Sequence, residues 1–326
     1  MDLPDVKEQW NTGVTELTLG ATSGEGGTRT STVTIGGERT VPFLTMDGQV
    51  GHKPVVAMDV LDVEPENWPE PLLAPYRDVI GDPAAWAKKC VEEWGADLVC
   101  IKLEGVARDR GDASPAQAVA VVRAVVEAVG VPLIVWGSED WEKDNEVMPK
   151  VSESLKGENA LLGVVTEDNY KTLTAVCIAD GHALISLAPL DINIAKQVNI
   201  LVSDMGFPLE RIVMFQTTGA LGYGMEYAYS IQERERLAAL GGDKMMAMPV
   251  ICDVGYEAWR TKEARTPTEE APGWGDQEER GILWEAVTAT TLLQAGCDIL
   301  RMRHPKAVAD VKRVIAELFG GNGADE

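Results

Sequence analysis

The hydrophobic pattern of the chain repeats one unit from Pro54 onward, a short β-branched apolar run followed by a longer amphipathic run. The unit recurs at intervals of roughly thirty residues, which is the spacing of a strand joined to a helix. Eight apolar runs are predicted as strands: Pro54–Leu61, Asp97–Glu104, Pro132–Gly137, Ala160–Thr166, Ala183–Ala188, Arg211–Gln216, Ala247–Cys252 and Asp298–Met302. Eight consecutive βα units predict a (β/α)8 TIM barrel of the α/β class.

Two helix starts support this count independently. Asp82 precedes Pro83 and Ser114 precedes Pro115. Asp and Ser are favoured N-caps, and proline is tolerated at the first helical position because no partner for its missing N–H is needed there. Both pairs therefore predict a helix that begins after one of the strands.

The second strand shows which of its faces lies inside the barrel. Val99, Ile101 and Leu103 form an apolar set, predicted to face the surrounding helices. The alternate set turns polar at Lys102 and Glu104, which are predicted to point inward near the C-terminal mouth. Three other polar side chains are predicted at or near this mouth by the same alternation: Asp59, Gln216 and Arg301.

The first fifty residues differ from the repeat. Apolar and polar residues alternate over 15–20 and 30–36, on either side of a glycine-rich turn at 23–27. This pattern predicts a β-hairpin. We expect residues 1–50 to form a hairpin extension capping one barrel end, and residues 51–326 to form the barrel. The glycines of the turn lack the spacing of a dinucleotide fingerprint.

Composition narrows the partners and the compartment. The chain has 326 residues, of which 45% are hydrophobic, and a formal net charge of −23. So acidic a surface disfavours nucleic acid as a partner. No apolar run reaches the eighteen or so residues of a membrane helix, and the N-terminus is unlike a signal peptide, so a cytoplasmic protein is expected.

The cysteine and histidine content argues against a metal site made by this chain alone. The five cysteines lie far apart and never form a C-x2-C pair, and the chain has three histidines. Iron–sulfur and zinc sites use closely spaced ligands. The cysteines are therefore interpreted as buried apolar residues in a reducing compartment.

Two loops at the C-terminal ends of strands are predicted to be binding surfaces. The loop at 217–227 contains three glycines within six residues and two tyrosines, so a flat ligand could lie against its backbone. The segment at 253–276 is long, lacks an evident helical pattern and carries Tyr, Trp and Arg, which favours a lid or partner surface. Alternatively, the glycines at 217–227 serve only a tight turn that binds no ligand. The segment at 253–276 could likewise be a mobile acidic insertion without a partner.

Four polar residues have more than one possible role: Asp59, Lys102, Asp191 and Asn193. Asp191 is expected to cap a helix, with Asn193 near the mouth, although both could hydrogen-bond a pterin ring together with Asp59. Lys102 could form a Schiff base, as in barrel aldolases, but the nearby Glu104 is expected to keep it charged and paired.

Several longer motifs carry a family resemblance. They are LGAT with GGTR near the N-terminus, PLDIN at 189–193, LGYGMEY at 221–227, MPVIC at 248–252, VGYEAWR at 254–260 and RGILWE at 280–285. Together they resemble the small subunit of corrinoid/iron–sulfur proteins, also called the delta subunit of acetyl-CoA decarbonylase/synthase. The resemblance covers nearly the whole chain.

This resemblance implies a non-catalytic methyl-carrier subunit of the reductive acetyl-CoA (Wood–Ljungdahl) pathway. Its barrel is related to those of pterin-binding methyltransferases. The implied partner is a larger subunit that carries a [4Fe–4S] cluster and a corrinoid-binding domain, with a cobamide shared between the two. Methyl groups would arrive through a methyltetrahydrofolate methyltransferase and leave to CO dehydrogenase/acetyl-CoA synthase. A pterin-binding methyltetrahydrofolate methyltransferase is the alternative.

The resemblance also implies which residues meet the corrin ring. No residue is assigned a catalytic role, and none is assigned as a metal ligand. The implied cofactor-binding residues are Thr217, Thr218, Gly219, Leu221, Gly222, Tyr223, Gly224, Tyr227, Asp191 and Asn193.

Overall fold

Ten strands form a two-stranded hairpin and an eight-stranded parallel sheet in the computed structural model, which describes residues 7–320. The hairpin strands are β1 (Leu17–Leu19) and β2 (Val33–Ile35). The sheet strands are β3 (Val55–Leu61), β4 (Leu98–Lys102), β5 (Leu133–Trp136), β6 (Leu161–Val165), β7 (Ala183–Leu187), β8 (Ile212–Phe215), β9 (Ile251–Asp253) and β10 (Ile299–Met302). Each of these eight overlaps a predicted strand.

The sheet curls into a nearly closed barrel. Its order is β8-β7-β6-β5-β4-β3-β10-β9, and a parallel bridge between Met214 and Val250 joins the two outer strands. The Met214 N–H also donates to the Pro249 carbonyl at 2.8 Å. The predicted (β/α)8 barrel is confirmed.

Eleven α-helices surround or flank the sheet in residues 7–320. They are α1 (Glu70–Leu73), α2 (Pro83–Glu92), α3 (Pro115–Ala128), α4 (Trp141–Ser154), α5 (Tyr170–Asp180), α6 (Ile192–Asp204), α7 (Met225–Leu240), α8 (Val254–Ala258), α9 (Lys262–Arg265), α10 (Gln277–Ala295) and α11 (Pro305–Gly320). The predicted caps are present, since Asp82 accepts from the Ala85 N–H and Ser114 from the Gln117 N–H.

Strand β4, the second strand of the barrel, has an apolar outward face and a separate inward face, as predicted. Val99 and Ile101 pack in the apolar layer between sheet and helices. Leu98 and Cys100 instead pack inside the barrel, with residues such as Ile134. The inward face therefore continues to Lys102 at the C-terminal mouth.

The N-terminal hairpin lies across the opposite end of the barrel. Leu17, Leu19 and Ile35 pack into the apolar interior. The Gly20 N–H donates to the Asn159 carbonyl at 2.9 Å and the Thr15 N–H to the Ala247 carbonyl at 2.8 Å, both in segments that precede barrel strands. The hairpin is thus present, while the division of the chain at residue 50 stays a prediction. Residues 1–6 and 321–326 of the two predicted ranges lie outside the described residues.

Candidate functional site

A cavity of about 330 Å³ opens at the C-terminal mouth of the barrel. Its walls come from the ends of several strands and from the loops that follow them, which is where barrel enzymes place their sites. Six basic and five acidic side chains line it: Lys102, Arg110, Arg260, Arg265, Arg301 and Arg303, with Glu66, Glu104, Asp109, Glu139 and Asp253. Three aromatic side chains complete the walls: Trp68, Tyr256 and Trp259.

A buried charge network forms the floor of this cavity. Asp59 accepts hydrogen bonds from the Nε groups of both Arg301 and Arg303, the latter at 2.7 Å. Arg301 Nη1 also donates to Asp253 Oδ2 at 2.9 Å. All four side chains are almost fully buried. The prediction that Asp59 and Arg301 lie at the mouth agrees with this arrangement.

The pKa values of Asp59 and Asp253 shift in opposite directions, although both carboxyl groups are buried. Burial alone would raise the pKa of Asp59, but the adjacent charges of Arg301 and Arg303 outweigh it and hold the pKa below its ordinary value. For Asp253 burial dominates over the attraction of Arg301, so its pKa is raised. The network therefore keeps Asp59 as the ionised centre.

Aromatic rings flank both arginines. The Arg301 guanidinium carbon lies 4.5 Å from the ring centroid of Trp136, a residue of β5. The Arg303 guanidinium carbon lies 4.9 Å from the Trp68 centroid and 5.2 Å from the Tyr256 centroid. Rings at this distance attract a cation and hold its orientation.

Lys102 is paired, but with a different carboxylate from the one expected. Its Nζ donates to Glu139 Oε1 at 2.6 Å, whereas Glu104 accepts from Arg110 Nη2 at 2.9 Å. The predicted Lys102–Glu104 pair is therefore wrong. Glu104 begins a 3-10 turn, so it no longer continues the inward face of the strand.

The loop at 217–227 lies on the same end of the barrel, because it follows the C-terminus of β8. It does not line the cavity. Gly222, Tyr223 and Tyr227 are exposed, with half of the Tyr223 side chain and 64% of Tyr227 accessible. Thr218 and Gly219 are buried, while Thr217, Leu221 and Gly224 are partly buried. The exposed members form a rim beside the cavity.

Hydrogen bonds to neighbouring elements hold this loop in place. Trp284 Nε1 of α10 donates to the Leu221 carbonyl at 3.0 Å, and the Leu221 N–H donates to Thr288 Oγ1 at 3.2 Å. Thr218 Oγ1 accepts from the Asp253 N–H at 2.8 Å. The exposed Gly222 therefore follows directly after an anchored residue, Leu221.

Asp191 and Asn193 lie apart from the cavity lining as well. Asp191 caps α6, because its Oδ1 accepts from the backbone N–H groups of Asn193 at 2.7 Å and Ile194 at 3.3 Å. The side chain of Asn193 is exposed. The capping interpretation of Asp191 is confirmed by this geometry, and a ligand contact by either residue stays a prediction.

Replacing Asp191 by alanine is expected to lower the free energy of unfolding by about 1 kcal/mol, the usual loss for an N-cap carboxylate. Asn193→Ala is the control and should change it by about 0.5 kcal/mol or less, because its side chain is exposed. Urea unfolding of both variants measures the difference. Equal stability of Asp191→Ala and the parent protein would show that the cap contributes nothing.

The cysteines are buried throughout the barrel. All five are free thiols, and burial raises the pKa of Cys100 to about 12. Within residues 7–320, no group of three or more His, Cys, Asp or Glu side chains is arranged to hold a metal ion. No helix in the described part of the chain has the length and apolarity needed to cross a membrane. The cytoplasmic location stays a prediction.

Several cavity residues were not found from the sequence. Arg303 could have been found, since it lies two positions beyond Arg301 and therefore on the same inward face. Trp68 and Glu139 lie in loops and gave no such signal. The sequence predicts no helix in the segment at 253–276, which is wrong, because the segment contains α8 and α9. Its Tyr256, Trp259 and Arg260 do line the mouth.

Comparison with known proteins places the chain in a family. A family model described as CO dehydrogenase/acetyl-CoA synthase delta subunit matches residues 16–266. The acetyl-CoA decarbonylase/synthase complex subunit delta of Archaeoglobus fulgidus is 40% identical over 319 residues, covering 96% of this chain and 70% of that protein. Its counterpart in Methanopyrus kandleri is 38% identical over 309 residues, covering 94% and 76%.

Solved structures show the same fold at low identity. A dihydropteroate synthase of Xanthomonas albilineans superposes with a TM-score of 0.56 at 15% identity, covering 84% of this chain and 95% of that one. One from Thermus thermophilus gives 0.52 at 16%, covering 82% and 94%. These likenesses show the fold alone, whereas the sequence matches extend over nearly the whole chain. The chain therefore belongs to the CO dehydrogenase/acetyl-CoA synthase delta subunit family.

Proposed function

We propose that this chain is the non-catalytic small subunit of a corrinoid/iron–sulfur protein, a cytoplasmic methyl carrier. Its partner would be a larger subunit that holds a [4Fe–4S] cluster and binds a cobamide. The barrel mouth of this chain would cover the cobamide at the interface between the two subunits. A methyltetrahydrofolate methyltransferase would supply the methyl group, and CO dehydrogenase/acetyl-CoA synthase would receive it.

The exposed rim at 217–227 is the observation that carries this proposal. Gly222 has a φ of +74° and open space where a side chain would project. Tyr223 and Tyr227, beside it, present exposed rings. A wide, flat macrocycle needs a shallow surface of this kind, where backbone and ring faces approach it without a protruding side chain. The rim residues therefore fit the corrin.

The apolar surface continues from this rim onto α10. Leu283 and Val287 are 58% and 40% exposed, and they flank Trp284 and Thr288, the two residues that anchor the loop. Exposed apolar side chains next to one another favour a partner surface. The larger subunit would cover this area of α10 while its cobamide lies against the rim.

When bound, the cobamide supplies a cobalt centre that accepts and releases methyl groups. The residues of this chain would supply shape and exclusion of water. The rim at Gly222 would let the ring lie close to the backbone, and Tyr223 and Tyr227 would cover its edge. Tyr223 is held in this position because its hydroxyl accepts from the Lys262 N–H at 3.3 Å. Shielding from water protects reactive centres between steps.

The pterin methyltransferase alternative is less well supported by the site. Both oxygens of Asp59 accept from arginines, and the carboxylate of Asp191 caps a helix. An active enzyme would bind methyltetrahydrofolate without a partner in calorimetry, whereas a carrier subunit should not. The aldolase alternative would require a free Lys102, but its ammonium is paired with Glu139.

Replacing Gly222 by phenylalanine is expected to weaken corrinoid retention by roughly tenfold or more, which corresponds to about 1.4 kcal/mol. The phenyl ring would project into the space that the corrin needs. The corrinoid visible absorbance per complex, after gel filtration with the larger subunit, measures retention. Gly206→Phe is a matched control. Gly206 also has a positive φ, +87°, and open space, but it precedes β8 at the opposite end. Equal retention by both variants would contradict the proposal.

A further inference from the structure

The guanidinium of Arg303 uses only one of its three nitrogen atoms in hydrogen bonds within residues 7–320. Arg303 is 4% exposed, and its Nε donates to Asp59. Neither of its two Nη groups donates to any residue within 7–320, and Arg301 Nη2 likewise has no acceptor there. Both arginines line the mouth cavity. None of these three donor groups is sealed from solvent, so each is available to a ligand that enters the cavity.

The geometry of Arg303 suits an oxyanion. A guanidinium presents two parallel N–H groups that match the oxygens of a carboxylate or phosphate. The rings of Trp68 and Tyr256, at 4.9 and 5.2 Å, restrict its rotation, and Asp59 holds its Nε. The outward N–H groups are therefore oriented before any ligand arrives, which lowers the entropic cost of binding.

The charge of the cavity favours an anion relative to the rest of the surface. Six basic and five acidic side chains line it, and Asp59 in its floor brings the acidic groups to six, whereas the whole chain has 29 basic and 52 acidic residues. An anion approaching this acidic protein therefore meets less repulsion at the mouth than elsewhere. The volume of about 330 Å³ holds a small carboxylate or phosphate with room for water.

We propose that the mouth cavity binds a small free oxyanion, a carboxylate or a phosphate, through Arg303 and Arg301. Arg303 would bind it by both Nη groups and Arg301 by its remaining Nη2. Tyr256 and Trp68 would act as positioning residues that keep the Arg303 guanidinium in place. This site lies beside the rim at 217–227 and does not depend on the proposed corrinoid contact.

Calorimetry of the full chain with inorganic phosphate, and separately with acetate, tests the site at constant ionic strength. Saturable one-to-one binding is expected for the parent protein. Arg303→Gln should weaken it by roughly tenfold or more, because a charge-assisted bidentate contact is lost. Arg39→Gln removes the same charge from an exposed position at the opposite end and should leave binding unchanged.

A second variant keeps the test valid if Arg303→Gln does not fold. Tyr256→Leu retains every charge and alters a partly exposed side chain, and it should weaken phosphate binding several-fold by freeing the guanidinium. Absence of saturable binding to the parent protein, or equal affinity in Arg303→Gln or Tyr256→Leu, would overturn the proposal.

The same titration on the complex with the larger subunit separates two sources of the oxyanion. If phosphate or acetate binds to the complex with the same affinity as to the chain alone, the result supports a site for a free small oxyanion. Loss of binding in the complex would mean that the partner or its cofactor fills or closes the cavity, which overturns the assignment of the site to a free small molecule. Corrinoid retention by Gly222→Phe is a separate readout, so failure of one proposal leaves the other intact.

Discussion

Asp59→Ala is expected to lower the free energy of unfolding by about 3–5 kcal/mol, the usual loss when one partner of a buried ion pair is removed. Asp59 is fully buried and is the only carboxylate in residues 7–320 that pairs with Arg303. Without it the Arg303 guanidinium stays buried and unpaired, whereas Arg301 keeps Asp253 at 2.9 Å. Urea unfolding at neutral pH measures the loss.

Two further variants identify the cause of that loss. Asp109→Ala removes an exposed carboxylate from the same mouth and should change stability by about 0.5 kcal/mol or less. In the double variant Asp59→Leu/Arg303→Met, apolar groups replace both charges, and much of the lost stability should return. If the double variant is no more stable than Asp59→Ala, the unpaired charge is not the source of the loss.

The barrel was predictable because each βα unit leaves a local record in the sequence. A buried parallel strand must be apolar on its outward face, and its inward face can turn polar at the mouth. This alternation was enough to place Asp59, Lys102 and Arg301 at the mouth. Helix caps such as Ser114 fixed where the chain leaves the strand and begins a helix.

The partners of these side chains were not predictable, because they depend on how the chain turns after each strand. The alternation continues Lys102 into Glu104, but the backbone enters a 3-10 turn there and Glu104 reaches Arg110 instead. Glu139, the actual partner of Lys102, comes from the loop after the next strand. Ion pairs between residues of different loops form only once the closed barrel brings those loops together, so the local sequence pattern does not predict them.

The segment at 253–276 shows a second limit. Its helices α8 and α9 have five and four residues, too few for a helical period to appear in the sequence or for the helices to be stable alone. Burial of Trp259 and Ala264 against the barrel stabilises them instead. The aromatic content of the segment nevertheless indicated its place at the mouth.

Glu285→Gln is expected to remove most of a pH dependence of stability that this carboxyl contributes. Glu285 is fully buried on α10 and accepts from Trp259 Nε1 at 2.6 Å, from the Arg303 N–H at 2.5 Å and from the His304 N–H at 3.0 Å. Burial raises its pKa from 4.5 to about 7, in spite of these hydrogen bonds. The folded protein therefore binds a proton here more tightly than the unfolded chain.

The sign follows from this difference. Because the folded pKa is raised, the stabilisation is complete below pH 4.5 and is lost as the pH rises through about 7. The shift corresponds to about 3 kcal/mol over the whole window, most of it between pH 5 and pH 7. Glutamine resembles the neutral acid and has no proton to lose, so its stability should lack this decline.

Urea unfolding at pH 5 and pH 8 tests the prediction. All other carboxyl groups are the same in the parent protein and in Glu285→Gln, so their contribution to the pH dependence cancels in the comparison. Between these values the parent protein should lose about 2–3 kcal/mol more than Glu285→Gln. Glu279→Gln, an exposed carboxyl in the first turn of the same helix, should behave as the parent protein does. An equal decline in Glu285→Gln and Glu279→Gln would mean that Glu285 is already ionised in the folded protein at pH 5, and that its three N–H donors outweigh its burial.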